Sequence, residues 1–232
     1  MFSNKTDNES NPVAGEARLV GTLISEKPDS FSFYVAFGFV LVVGIVTLIY
    51  WQNPSWSEKF EANRQLVFEK GEWWRIVLAI FVHHDLAHYL SNMLMLSVLG
   101  YFVFAYFGFG VFPLASVVLA SMANAMAIFT YPDQVRLIGA SGLVFVLGGF
   151  WLVLYLLIQR QYPYWQRVLR TLGIGLVLFF PSTFKAEVSY RTHIFGGILG
   201  ALFGFFYFYL NKKNIRSHEK YSYELPEELG EF

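Results

Sequence analysis

Charged side chains are missing from six long stretches of this chain, and that gap fixes the solvent in which it can fold. Between Phe31 and Trp51, Leu86 and Phe107, Phe109 and Thr130, Leu137 and Ile158, Val168 and Phe180, and Thr192 and Leu210, the one Asp, Glu, Lys or Arg is Arg170. A helix rises about 1.5 Å per residue and the hydrocarbon core of a bilayer is about 30 Å thick, so roughly 20 apolar residues span it. Five of the six stretches reach that length. The Val168 stretch is shorter, and it spans by drawing in flanking residues such as Trp165 or by sitting in locally thinned bilayer. The expected architecture is an all-α membrane protein, a bundle of six transmembrane helices. With 55% hydrophobic and only 15% charged residues, a soluble domain is excluded.

The same pattern divides the chain into a polar segment over residues 1–30, a six-span body over 31–211 and a polar tail over 212–232. Met1–Ser30 lacks the early apolar core of a cleaved signal peptide, so the first span is expected to stay in the mature protein. Basic residues cluster at one end: Arg160, Arg167 and Arg170 around the fourth loop, and Lys212, Lys213 and Arg216 after the last span. The positive-inside rule then places both termini in the cytoplasm, although Lys59, Arg64, Lys70 and Arg75 in the long first loop pull the other way. A net charge of zero points to no nucleic-acid partner, and the absence of cysteine removes disulfide and thiolate chemistry.

Polar groups within or beside the spans carry the functional signal, because a hydroxyl, amide or imidazole in hydrocarbon must find a partner or face a water-filled cavity. Ser141 opens the fourth span between Gly139-Ala140 and Gly142, small residues that let other backbones approach and leave the hydroxyl open. A serine hydroxyl is a weak nucleophile that needs a base. His193, near the start of the sixth span, shares a helical face with Gly196 and Gly200, so a neighbouring helix can pack closely against it. No carboxylate in the spans can orient that imidazole, which favours a dyad over a triad. Phe145, one turn after Ser141, is placed to stack on His193 instead. His88 and Asn92 share a face of the second span, and His83 lies just before it. An amide and an imidazole from this set, with the backbone N–H of Ser141, would form an oxyanion hole.

Each feature has a plainer explanation. A membrane-helix serine usually bonds back to the preceding turn, glycines spaced by four are packing devices, and Trp51, Trp56, Trp73 and Trp74 are interface anchors. A zinc site from His83, His84, Asp85 and His88 is chemically conceivable, but the chain has no His-Glu-x-x-His helix. No metal or cofactor is expected. A transporter is disfavoured by the lack of acidic coupling residues and of an internal repeat.

Taken together, Gly71-Glu72-Trp73-Trp74-Arg75, the His83, His88 and Asn92 pattern, Gly139-Ala140-Ser141-Gly142, and His193 with Gly196 and Gly200 resemble the rhomboid family of intramembrane serine proteases. The likeness runs from about Gly71 to Gly204 in the family's order. It implies Ser141 as nucleophile, His193 as general base, and His83 and Asn92 as oxyanion donors. It also implies a first loop embedded in the outer leaflet and a fifth loop that controls substrate access. The implied partners are the lipid bilayer and membrane-protein substrates with a transmembrane segment. The six-span body is similar to the simpler prokaryotic members, which implies a bacterial cytoplasmic membrane. A catalytically silent relative that binds membrane proteins is the alternative. Thr192 departs from the small residue common before the histidine, and its hydroxyl is expected to bond back to the helix.

Overall fold

The computed structural model describes residues 16–179 and 189–224. The first fifteen residues, the central part of the fifth loop and the end of the acidic tail lie outside them. Eight helices follow in chain order: α1 Phe31–Gln52, α2 Pro54–Phe60, α3 Arg75–Leu78, α4 Leu86–Phe107, α5 Ser116–Thr130, α6 Ser141–Ile158, α7 Tyr164–Phe179 and α8 Tyr190–Ser217. Two strands, β1 Glu16–Gly21 and β2 Lys220–Glu224, flank them.

Among the described residues five helices are long and apolar enough to cross a membrane: α1, α4, α5 with the Gly110–Ala115 turn before it, α6 and α8. Their outward faces carry Phe33, Phe37, Leu94, Leu202 and Phe206, all exposed, as lipid-facing surfaces do. The Val168 stretch forms α7, whose 16 residues reach about 24 Å. The ends of the chain settle whether it counts as a span. β1 pairs antiparallel with β2, with Ala17 opposite Tyr223 and Leu19 opposite Tyr221, so the two flanks of the body lie at one end of the bundle. Five crossings would put them on opposite sides; six bring them together, and α7 supplies the sixth.

This ribbon amends the purely helical expectation, as does α8, which continues as helix to Ser217 past the expected end of the body. Three polar contacts fasten it beneath the spans. Glu26 accepts from His218 at 3.2 Å and from Lys220 at 3.1 Å, and Arg160 pairs with Glu219 at 3.1 Å.

At the centre stands α6, the most buried span. It packs on α4, α5, α7 and, most extensively, α8, while α1 packs on α4 at the periphery. The close α6–α8 approach follows from residue size. A Cβ on Gly196 would lie 2.7 Å from Gly142 O, on Gly200 2.0 Å from Val146 O, and on Gly204 2.9 Å from Phe150 O. Positions 196, 200 and 204 thus run in register along 142, 146 and 150, one helical turn per step. From the other helix, a Cβ on Gly149 would lie 2.3 Å from Gly197 O.

Candidate active site

The α6–α8 register decides which side chains meet at the end of the bundle away from the ribbon. Ser141 is the first residue of α6, and His193 lies in the first turn of α8, whose N-cap Ser189 accepts from Thr192 N–H. Their sequence neighbours touch: Thr192 Cγ2 lies 2.8 Å from where a Cβ on Gly142 would be. A side chain at position 142 would therefore have to displace the Thr192 methyl. Thr192 is buried, and its hydroxyl bonds at 2.6 Å to the Ser189 hydroxyl, so it completes the helix cap. Tyr131 OH reaches Ser189 Oγ at 3.2 Å, tying the start of α8 to the end of α5.

The imidazole of His193 lies flat on Phe145, ring centroids 4.0 Å apart and planes 13° from parallel. Phe179 stacks on the far face of the pair, 4.5 Å from Phe145. Phe179 was invisible to sequence reasoning, because nothing but the α6–α7 packing brings it there. His193 Nε2 is buried and has no hydrogen-bond partner among the described residues. Ser141 is half-buried, and no hydrogen bond joins its hydroxyl to that nitrogen. Catalytic hydrogen bonds are commonly long in the empty site and tighten when substrate arrives.

The turn before Ser141 is shaped by Gly139, at φ +115°, a conformation that favours glycine. Above it lies His88, whose Cε1 and Nε2 would stand 2.8 and 2.9 Å from a Cβ on Gly139. Asn92, one turn further along α4, is buried and donates from Nδ2 to His88 O at 3.1 Å, which uses one of its two amide protons.

His83 sits deeper than His88. His83 is wholly buried, and its Nε2 accepts from Ala140 N–H at 3.2 Å. Thr47 Oγ1 donates to Phe81 O, so at 3.3 Å it accepts from His83 Nδ1–H. Both ring nitrogens are thus committed, and the ring has no N–H to offer an oxyanion. Burial, with His88 beside it, pushes its pKa down to about 3, which keeps this neutral tautomer. As placed here His83 holds Ala140, the residue before Ser141, and presents no N–H to the site, unlike the oxyanion donor that the resemblance implies.

The four residues of the conceivable zinc site are differently placed. The His84 side chain is 78% exposed and faces Asp85 at 3.7 Å, whereas His83 is sealed in the core. Asp85 itself is occupied as the N-cap of α4, accepting from His88 N–H at 2.7 Å. Among the described residues no three His, Asp or Glu side chains converge as metal ligands.

Residues 70–210 match the Rhomboid domain family, well over half of the chain. The chain belongs to the rhomboid family. It is an integral, multi-pass membrane protein with that family's helical fold. Rhomboid protease GluP of Bacillus subtilis (strain 168) is 28% identical over 159 residues, 65% of this chain and 29% of the relative. Rhomboid-like protease 2 of Toxoplasma gondii is 29% identical over 158 residues, 64% of this chain and 52% of the relative. Putative rhomboid protease YdcA, also of Bacillus subtilis, is 23% identical over 181 residues, 74% of this chain and 88% of the relative. The chain spans about a third to a half of the length of GluP and the Toxoplasma relative.

Proposed function

We propose that this rhomboid is a serine endopeptidase that cleaves the transmembrane segments of other membrane proteins with a Ser141–His193 dyad, residues 31–211 forming the catalytic body. A substrate helix unwinds near the outer end of the bundle and presents a carbonyl to Ser141 Oγ. The hydroxyl proton passes to His193, the C–O bond forms, and the carbonyl oxygen becomes an oxyanion. Ser141 N–H and Asn92 Nδ2 are its donors, with the His88 ring beside the Gly139 turn. His193 then gives its proton to the departing amine, leaving an acyl-enzyme. Water from the outer face hydrolyses that ester, with His193 again taking the proton.

One observation carries this reading. A ladder of glycines sets α6 against α8 in the register that brings the turns bearing Ser141 and His193 together, and the imidazole found there is stacked and buried, its Nε2 without a hydrogen bond among the described residues. A packing serine and a core histidine need none of these features. The basic residues around 160–170 and 212–216, at the end that carries the ribbon, favour a cytoplasmic location for both termini, and the family likeness favours a bacterial cytoplasmic membrane.

A fluorophosphonate probe tests the proposal without knowledge of the substrate. Purified protein should be labelled in detergent, and Ser141→Ala should not. His193→Ala should lose labelling while its circular dichroism stays native. An intact fold that never labels would favour a silent, binding relative.

A further inference from the structure

The turn that delivers Ser141 is held by the first loop, not by its own helix. Leu137 exchanges both backbone bonds with Ala62, at 2.8 and 3.1 Å. Gly139 N–H donates to Ala79 O at 2.7 Å and Ala140 N–H to His83 at 3.2 Å. At the head of this row one contact joins two side chains. Arg136 Nη1 donates to Glu61 Oε2 at 2.7 Å.

Glu61 is a node. Its other carboxylate oxygen accepts from Tyr50 OH of α1 at 2.8 Å, and its backbone carbonyl accepts from the buried Arg75 at 3.0 Å. Three parts of the fold, α1, the first loop and the nucleophile turn, therefore meet at one residue. The Glu61 side chain is 16% exposed, which favours short charge-assisted bonds of fixed direction. Arg136 is 59% exposed, so the pair adds little to global stability. Direction without much stability is the signature of a contact that places something.

We propose that Glu61 and Arg136 are positioning residues for Ser141: their ion pair fixes the height of the 137–140 turn on the first loop and so the approach of the hydroxyl to His193. The inference rests on Ser141 being the nucleophile. Without the pair, the turn keeps its backbone bonds but pivots about them. A displacement well under 1 Å at the reacting oxygen is enough to slow attack about tenfold.

The test is fluorophosphonate labelling of the full chain in proteoliposomes, with kinact, KI and the final labelled fraction measured separately. Glu61→Gln and Arg136→Gln should each lower kinact about tenfold while KI, the labelled endpoint and the melting temperature stay put. The double variant should be no worse than either single one, and Arg136→Lys should recover most of the rate. An unchanged kinact, or a loss confined to the endpoint and melting temperature, overturns the positioning role while leaving the dyad standing. Failure of the unaltered protein to label at Ser141 overturns the protease reading and this inference with it.

Discussion

Adding one methyl group to Gly200 should disable the site from seven residues away. An alanine Cβ there would lie 2.0 Å from Val146 O, 2.7 Å from its carbonyl carbon and 2.9 Å from its Cα. All three are backbone atoms of a buried helix, so no side chain can turn aside. Ordinary contact begins at 3.4 Å, which requires α6 and α8 to part by about 1.4 Å at this level. Ser141 lies five residues from Val146 on one helix and His193 seven from Gly200 on the other, so the opening is transmitted directly to the gap between them. A misplacement of about 1 Å costs on the order of a hundredfold in rate. At Gly196 the clash is milder, 2.7 Å to Gly142 O, and the needed shift is about 0.7 Å. At Gly197 an added Cβ meets nothing within 4 Å.

The ordering is therefore fixed beforehand: Gly200→Ala about a hundredfold slower, Gly196→Ala about tenfold, Gly197→Ala unchanged. Fluorophosphonate inactivation rates in proteoliposomes supply the measurement, and thermal melts followed by circular dichroism identify any variant that has lost its fold. Native inactivation by Gly200→Ala would refute the claim that helix approach sets the dyad. So would a Gly197→Ala variant as slow as Gly200→Ala, since that would trace the damage to helix propensity or lipid contact.

Three further outcomes are expected. Phe145→Leu keeps the apolar volume but removes the ring beneath His193, a contact worth about 0.5–1.5 kcal/mol, so the inactivation rate should fall roughly three- to tenfold; a rate equal to native would show that the stack does not orient the base. Gly139→Ala forces a side chain into φ +115° and against the His88 ring, and should suppress labelling far more than Gly71→Ala, whose positive φ opens onto empty space. The third outcome concerns pH. Hydrogen bonds from Lys220 first and His218 second hold the Glu26 carboxylate below its ordinary pKa of 4.5. The ribbon contact is then complete above that pH and is lost as pH falls through the lowered value. Amide protection factors in β1 and β2, taken relative to the intrinsic exchange rate at each pH, should fall on acidification through that lowered value, and Glu26→Gln should show the low protection already at pH 7; equal protection on both sides of it would dissociate the ribbon from this carboxylate.

The parts of this protein that were legible in its sequence are those governed by local periodicity. The charge gaps mark the spans because bilayer thickness fixes their length, and Gly196 and Gly200 share a face with His193 by the 3.6-residue repeat alone. Phe145 reaches His193 for the same reason. What stayed hidden depends on partners far along the chain. His83 and His88 stand five residues apart with equal claims to the site. What separates them is the N–H of Ala140, 57 residues beyond His83, which takes the lone pair of one ring. The β1–β2 ribbon joins segments about 200 residues apart with no turn signal between them. Glu61 and Arg136 look like solvated charges until the Ala62–Leu137 pairing brings them together.

Among the described residues, the buried Nε2 of His193 has no hydrogen-bond partner, and that makes this ring informative. A nitrogen shielded from water and left without a hydrogen bond costs on the order of 1–3 kcal/mol, and folded proteins keep few such atoms. A leucine at this position would pack on Phe145 of α6 without that cost. The ring is instead held flat by Phe145, with Phe179 behind, so its orientation is fixed without any hydrogen bond that would occupy Nε2. An aromatic stack orients a base and leaves its lone pair available, whereas a carboxylate in the same place would need its own partners in hydrocarbon. Absence of acidic residues from the spans and presence of the stack are two sides of one solution. Under the proposed dyad, that nitrogen is the one that takes the Ser141 proton, and the stack keeps its lone pair free to do so.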